Sequence, residues 1–143
     1  MNQLGFAISN IRTTEFAILE ENFSGEVDAA IHTGIRIGAN IDKHFISILF
    51  EVQFRSKEKT IIKLAIECAF DIEEEAFKSF FNKEDKILNM PGTLCRHLAV
   101  ITVGTARGIL HEKLNETQFE DILLPSVNIV DHIPQEEVIL KSK

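Results

Sequence analysis

The chain has no tryptophan and no tyrosine, and only two cysteines, two methionines and three prolines among 143 residues. Its aromatic content is eleven phenylalanines, rings without a polar handle, suited to packing or to apolar surface. Two cysteines, Cys68 and Cys95, are too few for a disulfide framework. Both sit in apolar patterns and read as buried free thiols. Cations are scarce as well: 15 Lys and Arg against 22 Asp and Glu leave a formal net charge of -7. Binding to a nucleic-acid backbone rests on Lys and Arg neutralising phosphates, so that class of partner is disfavoured, and an anionic membrane surface with it. No stretch is long enough to span a bilayer. The opening "MNQLGFAISN" lacks the basic start and long apolar run of a signal peptide. The expectation is a cytoplasmic protein in a reducing compartment.

Chemical motifs are equally sparse. The five histidines, His32, His44, His97, His111 and His132, are scattered. None forms HExxH, and the cysteines have no zinc spacing. Cys95 and His97 lie two apart on one helix and point different ways. There is no GxSxG elbow. The glycines of "VGTARG" do not follow a strand in the GxGxxG context of a phosphate cradle. The acids Glu20-Glu21 and Glu73-Glu74-Glu75 read as surface and helix-start groups, since paired carboxylates do acid–base work only in a dry pocket. No catalytic residue, metal site or cofactor is expected, and the chain reads as a non-enzyme. A hot-dog enzyme, with a sheet wrapped round a long helix, would place most strands after the helix, whereas here the convincing strands precede it.

What is present is pattern. In "ISILFEVQF" the even positions Ile46, Ile48, Phe50, Val52 and Phe54 are apolar, and in "IKLAIECAFDI" Ile62, Leu64, Ile66, Cys68, Phe70 and Ile72 repeat this. Period two with Glu51, Gln53, Arg55, Lys63, Glu67 and Asp71 opposite is a sheet with one buried and one wet face. The link "RSKEKT" makes the two a hairpin. Upstream, "GFAISNIRTTEFAIL" is a strand bent near Thr13 and Thr14. "VDAAIHTGIRIG" alternates more weakly, and Gly34 and Gly38 mark an irregular or edge segment. Residues 22 to 44 form a long crossing connection, only partly strand.

After Ile72 the period changes. "EEEAFKSFFN" is a helix with acids in its first turn and Asp71 as N-cap, placing Phe77, Phe80 and Phe81 on one side. A second helix starts near Pro91 and runs to about Leu114, with Leu94, Leu98, Ile101, Thr105 and Ile109 at helical spacing. Beyond it the chain is mostly loop, punctuated by Pro125 and Pro134. One domain is expected over 1–143, strand-rich over 1–72 and helix-rich over 73–143. The second helix contains "LAVITV", apolar all round, so something must cover each side of it. It also contains Gly104 and Gly108, each costing about 1 kcal/mol relative to Ala. Ile101, Gly104, Gly108 and His111 fall on one line, where small residues let another helix come close. The alternatives are a kink or a close approach to the protein's own sheet. Phe77, Phe80 and Phe81 within five residues are more than a short helix readily hides, which marks either a groove, an interface or core.

Three segments resemble the protein-export chaperone SecB family. "FAISNI", with Phe6, Ile8 and Ile11 followed by the acid Glu15, is similar to the opening F-x-I-x-x-I strand of that family. "CAFDI" is similar to its G-I-F-x-I. Ala106-Arg107, followed by Phe119, Ile122, Leu124, Val127-Asn128 and Ile129, resembles its A-R, G-T-F-P and L-x-P-V-N-F. The resemblance spans roughly residues 6 to 130. It implies an α+β fold, a four-stranded antiparallel sheet packed on two helices. It implies a homotetramer built as a dimer of dimers, with Ile101, Gly104 and Gly108 at the oligomer interface. It further implies an ATP-independent holdase that binds unfolded or pre-export polypeptides during protein transport and translocation. By region, the polypeptide groove would draw on Ile31, Ile35, Ile37, Phe77, Phe80, Phe81 and Leu98. A partner-docking acidic face for the translocase motor SecA would draw on Glu15, Glu51 and Glu67. Departures are Val103-Gly104-Thr105 in place of F-P-Y, a proline displaced to Pro125, Lys63 where an acid is expected, and an ending "LKSK" without a motor-binding tail. Chaperoning an antitoxin is therefore an alternative to export, and a non-catalytic scaffold or ligand-binding protein on the same fold is another.

Overall fold

The first strand carries Phe6, Ile8, Ile11, Thr13, Phe16 and Ile18, a spacing that plain alternation cannot put on one face. In the computed structural model, which describes residues 5–141, strand β1 (Phe6–Ile18) solves this with two bulges. The register against β4 (Lys59–Ile72) shifts between Ile8 and Asn10 and again between Thr13 and Glu15. Ser9 and Thr14 are the extra residues, and their hydroxyls donate to the carbonyls of Ala69 and Ala65 across the pair. All six side chains then share the face of Ile72, Phe70, Cys68, Ile66, Leu64 and Ile62. The bend read at Thr13 and Thr14 is the second bulge. Residues 1–4 and 142–143 lie outside the described residues, and with them part of the N-terminal stretch read for a signal peptide and the last residues of "LKSK".

Strand β3 (Phe45–Ser56) pairs antiparallel with β4, and its even residues are buried as the pattern requires. The hairpin link is shorter than the six polar residues read for it: only Lys57 and Glu58 turn, both at positive φ. That is the geometry of a two-residue primed turn, here without glycine. The Asp28 carboxylate holds it, accepting the backbone N–H of Lys57 at 2.9 Å and of Glu58 at 3.0 Å. Beside it the buried Ser56 hydroxyl bonds to Ser24 and to the carbonyl of Glu26. The crossing connection is thus strapped to the hairpin tip before it enters β2 (His32–Asn40). β2 is more regular than its glycines suggest, pairing with β3 without a bulge. Gly38 serves a close approach, since a Cβ there would sit 2.9 Å from the Ser47 hydroxyl. The four-stranded sheet has the order β1-β4-β3-β2, with crossing from one edge to the other.

A second layer covers the apolar face. Helix α1 (Glu74–Phe80) follows β4, capped at Glu73 without a side-chain bond; Asp71 is not the N-cap because β4 extends to Ile72 and keeps it in the ladder. Next come β5 (Phe81–Asn82), β6 (Ile87–Pro91) and, from the far end of the chain, β7 (Glu137–Lys141), a three-stranded sheet that periodicity did not show. Helix α2 (Gly92–Leu114) is continuous through "LAVITV" and packs on β3 and β4. The segment after it, with a short 3-10 turn at Ile129–Asp131, is fastened to α2 by two arginines. Arg96 Nε donates to Ile133 O at 2.8 Å, and Arg107 donates to Leu124 O and Pro125 O at 2.9 and 3.0 Å. These bonds press Phe119, Leu124, Ile129 and Ile133 into the core.

Candidate functional site

Helix α2 runs alongside β1. The His97 ring meets Phe6 edge-on at one end, and the Lys113 ammonium lies 5.0 Å from the Phe16 ring centre at the other. The inner side of the helix buries Cys95, Leu98, Ala99, Thr102, Val103, Ala106 and Leu110. Its outer crest carries His97, Gly104, Gly108 and His111, all exposed, with Ile101 half-buried beside them. A Cβ added at Gly104 or Gly108 would meet nothing within 4 Å. Neither glycine serves close contact with the protein's own sheet, and the helix continues through both. Both face open space.

Either side of this crest is apolar. Toward β1, the core-facing Ile8 and Ile11 remain 43% and 48% exposed, because α2 packs on β3 and β4 and, among the described residues, no element covers these two side chains. On the other slope Val100 is 57% exposed, above a shallow recess lined by Val103, Arg107, Val127 and Ile129. Large apolar side chains left uncovered side by side mark a surface that something else covers.

The residues expected in a polypeptide groove separate into two sets. Phe77 and Leu98 are core, at 1% and 0% exposure, so neither lines an open groove in the single chain. Phe77 fits because α1 packs on β6 and the His44 ring lies 5.1 Å away. Ile31, Ile35 and Ile37 are half-buried along the β2 edge. Phe80 and Phe81 are half-buried and, with Asn89, Pro91, Glu136 and Glu137, line a notch of about 430 Å³ on the small sheet. The structure does not place the three isoleucines in that notch.

The three acids of the expected docking face do share the wet face of the sheet, and each has a cation across the strands. Glu67 pairs with Arg12 at 2.9 Å, Glu15 with Lys63 at 3.4 Å, and Glu51 with Arg36 at 3.9 Å. The face is therefore balanced in charge rather than acidic. Both thiols are buried; burial raises the Cys68 pKa against the hydroxyls of Thr102 and Thr105, and pushes that of Cys95 up to about 11. Among the described residues no cluster of His, Cys, Asp or Glu could hold a metal ion, and no helix is long and apolar enough to cross a membrane.

Against known proteins, the backbone of this chain is similar to the SecB-like chaperone of Mycobacterium tuberculosis, solved in complex with a ChAD peptide from an antitoxin. The TM-score is 0.52 over 86% of this chain and 91% of that one, at 8% sequence identity. The two share a fold. No family model matches the chain, and no curated protein matches it in sequence. The α+β architecture expected from the resemblance, four antiparallel strands with two helices, is the one observed, extended by the three-stranded sheet.

Proposed function

We propose that this chain is a SecB-like, ATP-independent holdase that binds unfolded polypeptide through apolar surface. The observation that carries the reading is apolar surface left exposed on both sides of the glycine crest of α2, Ile8 and Ile11 toward β1 and Val100 on the other slope. Hydrophobic burial contributes roughly 25 cal/mol per Å², so chain copies and clients both gain by covering it. Ile101, Gly104 and Gly108 form the contact between copies, in a dimer of dimers. Clients follow the half-buried apolar residues Ile31, Ile35, Ile37, Phe80 and Phe81, with Phe77 and Leu98 supporting them from the core. The role is non-catalytic, in the cytoplasm.

An antitoxin client is the favoured one over pre-export polypeptides, because the M. tuberculosis protein of like fold holds an antitoxin peptide. The balanced face around Glu15, Glu51 and Glu67 offers less to a basic surface of SecA than an unpaired acidic face would. The test is light scattering of a chemically unfolded client diluted into buffer without nucleotide. Several-fold excess of this protein slows the scattering. If aggregation is unchanged while the protein stays oligomeric, the holdase reading is wrong, and a closed scaffold that binds no hydrophobic dye replaces it.

A further inference from the structure

We infer that β7 is a displaceable strap: the last described strand fills a slot, one strand wide, that an extended apolar polypeptide takes in its place. This rests on the holdase reading and says how its apolar surface is held shut between clients. β7 pairs with β6 on one side and neighbours β2, the edge of the large sheet, on the other. It therefore stands between two sets of half-buried residues, Ile35 and Ile37 on β2, and Phe80 and Phe81 where α1 runs into β5. With β7 lifted, the two sets would border one channel instead of two separate surfaces.

β7 is seated like a bound peptide. Val138 and Leu140 stand opposite Met90 and Leu88, both fully buried, while Ile139 between them is 58% exposed. Val138 and Leu140 are themselves only half-buried. A short strand with so little buried apolar area lies at the low end of local stability, so it opens without unfolding the rest. Its root is fixed. Arg96 holds Ile133 O, Gly92 N donates to Glu136 O at 3.1 Å, and a Cβ at Gly92 would collide with the carbonyls of Pro134 and Gln135. Opening is then a peeling of β7 from β6 beyond Glu136. The resident shows what the slot accepts: aliphatic side chains two apart over Leu88 and Met90, on a backbone that completes the β6 ladder.

The test is fluorescence anisotropy of a labelled, unstructured peptide with valine and leucine at alternate positions, added to the whole chain carrying N89C/I139C. Asn89 and Ile139 face each other across the strands. The Cα separation in such pairs, about 4.5–5.5 Å, suits a disulfide. Cys68 and Cys95 are buried and stay out of the reaction. Oxidation pins β7, and the peptide should then bind at least about tenfold more weakly than to the same protein reduced, because only the open fraction binds. Hydrogen exchange on wild type reads the same event without a cross-link: added peptide should speed exchange of the β7 amides while those of β6 stay protected. Equal affinity in the oxidised and reduced forms, or β7 amides that stay protected with peptide bound, overturns the strap and spares the holdase. Failure of both wild type and the reduced pair to bind the peptide overturns the holdase reading and the strap together.

Discussion

Replacing Gly104 and Gly108 by alanine separates assembly from stability, because the two effects have opposite signs. Inside a helix, each Gly→Ala change stabilises the single chain by about 0.8–1 kcal/mol, provided the new methyl has room. It has room: nothing lies within 4 Å of either added Cβ. The single folded chain should therefore gain about 2 kcal/mol, which for this size raises Tm by roughly 4–8 °C. If the crest packs on a second copy, the same methyls intrude between two helices, and overpacking costs about 1–3 kcal/mol. The dissociation constant then rises about tenfold for each 1.4 kcal/mol. The assay is a sedimentation-velocity dilution series alongside thermal melts at the same concentrations, for wild type and G104A/G108A. The expected result is a variant that dissociates at higher concentration than wild type yet melts later once both are single chains. A variant that sediments like wild type at every concentration, or a wild type that is monomeric throughout, refutes the argument that the crest is an interface.

The turn between β3 and β4 can be improved: Lys57→Asn with Glu58→Gly suits the positive φ at both positions while keeping the N–H groups that Asp28 accepts, and should raise stability by about 1–2 kcal/mol in urea melts. Arg107→Met removes both bonds to Leu124 and Pro125 but keeps the stem, so amides over residues 119–129 should exchange faster, with a loss of about 1–3 kcal/mol. The buried thiols Cys68 and Cys95 should resist aromatic disulfide reagents at pH 8 until the chain unfolds. Because burial raises both folded pKa values, the unfolded thiols ionise first, so stability should fall as pH rises from about 9 toward about 11.

The parts of this fold legible from sequence are those whose order is local. β3 and β4 repeat apolar residues at period two for ten positions, and α2 keeps its spacing for six turns, so each declares its state without help. β5, β6 and β7 do not. "FN", "ILNMP" and "EVILK" are too short to show a period, and Pro91 is paired with Glu137, which is remote in sequence. Their strands exist because they pair with one another. Phe77 was open in sequence between groove, interface and core, and the strand that helps to cover it, β6, was not visible there. Arg107 illustrates the same boundary: the sequence favours a structural salt bridge or carbonyl cap over a carboxylate anchor, and only the path of the loop shows that the partners are the Leu124 and Pro125 carbonyls. Ion partners across strands are legible only once register is known, so the cations opposite Glu15, Glu51 and Glu67 could not be assigned from sequence. Gly104 and Gly108 had three readings in sequence, and open space around both removes the one in which they serve a close approach to the protein's own sheet.

The pairing of the opening strand has a cost during biosynthesis. Ser9 bonds to Ala69, sixty residues downstream, so β1 leaves the ribosome long before the strand that receives it. At roughly 5–20 residues per second, it waits for several seconds with Phe6, Ile8, Ile11 and Phe16 unsheltered. A protein argued to protect the unfinished chains of others would begin its own life as one of them.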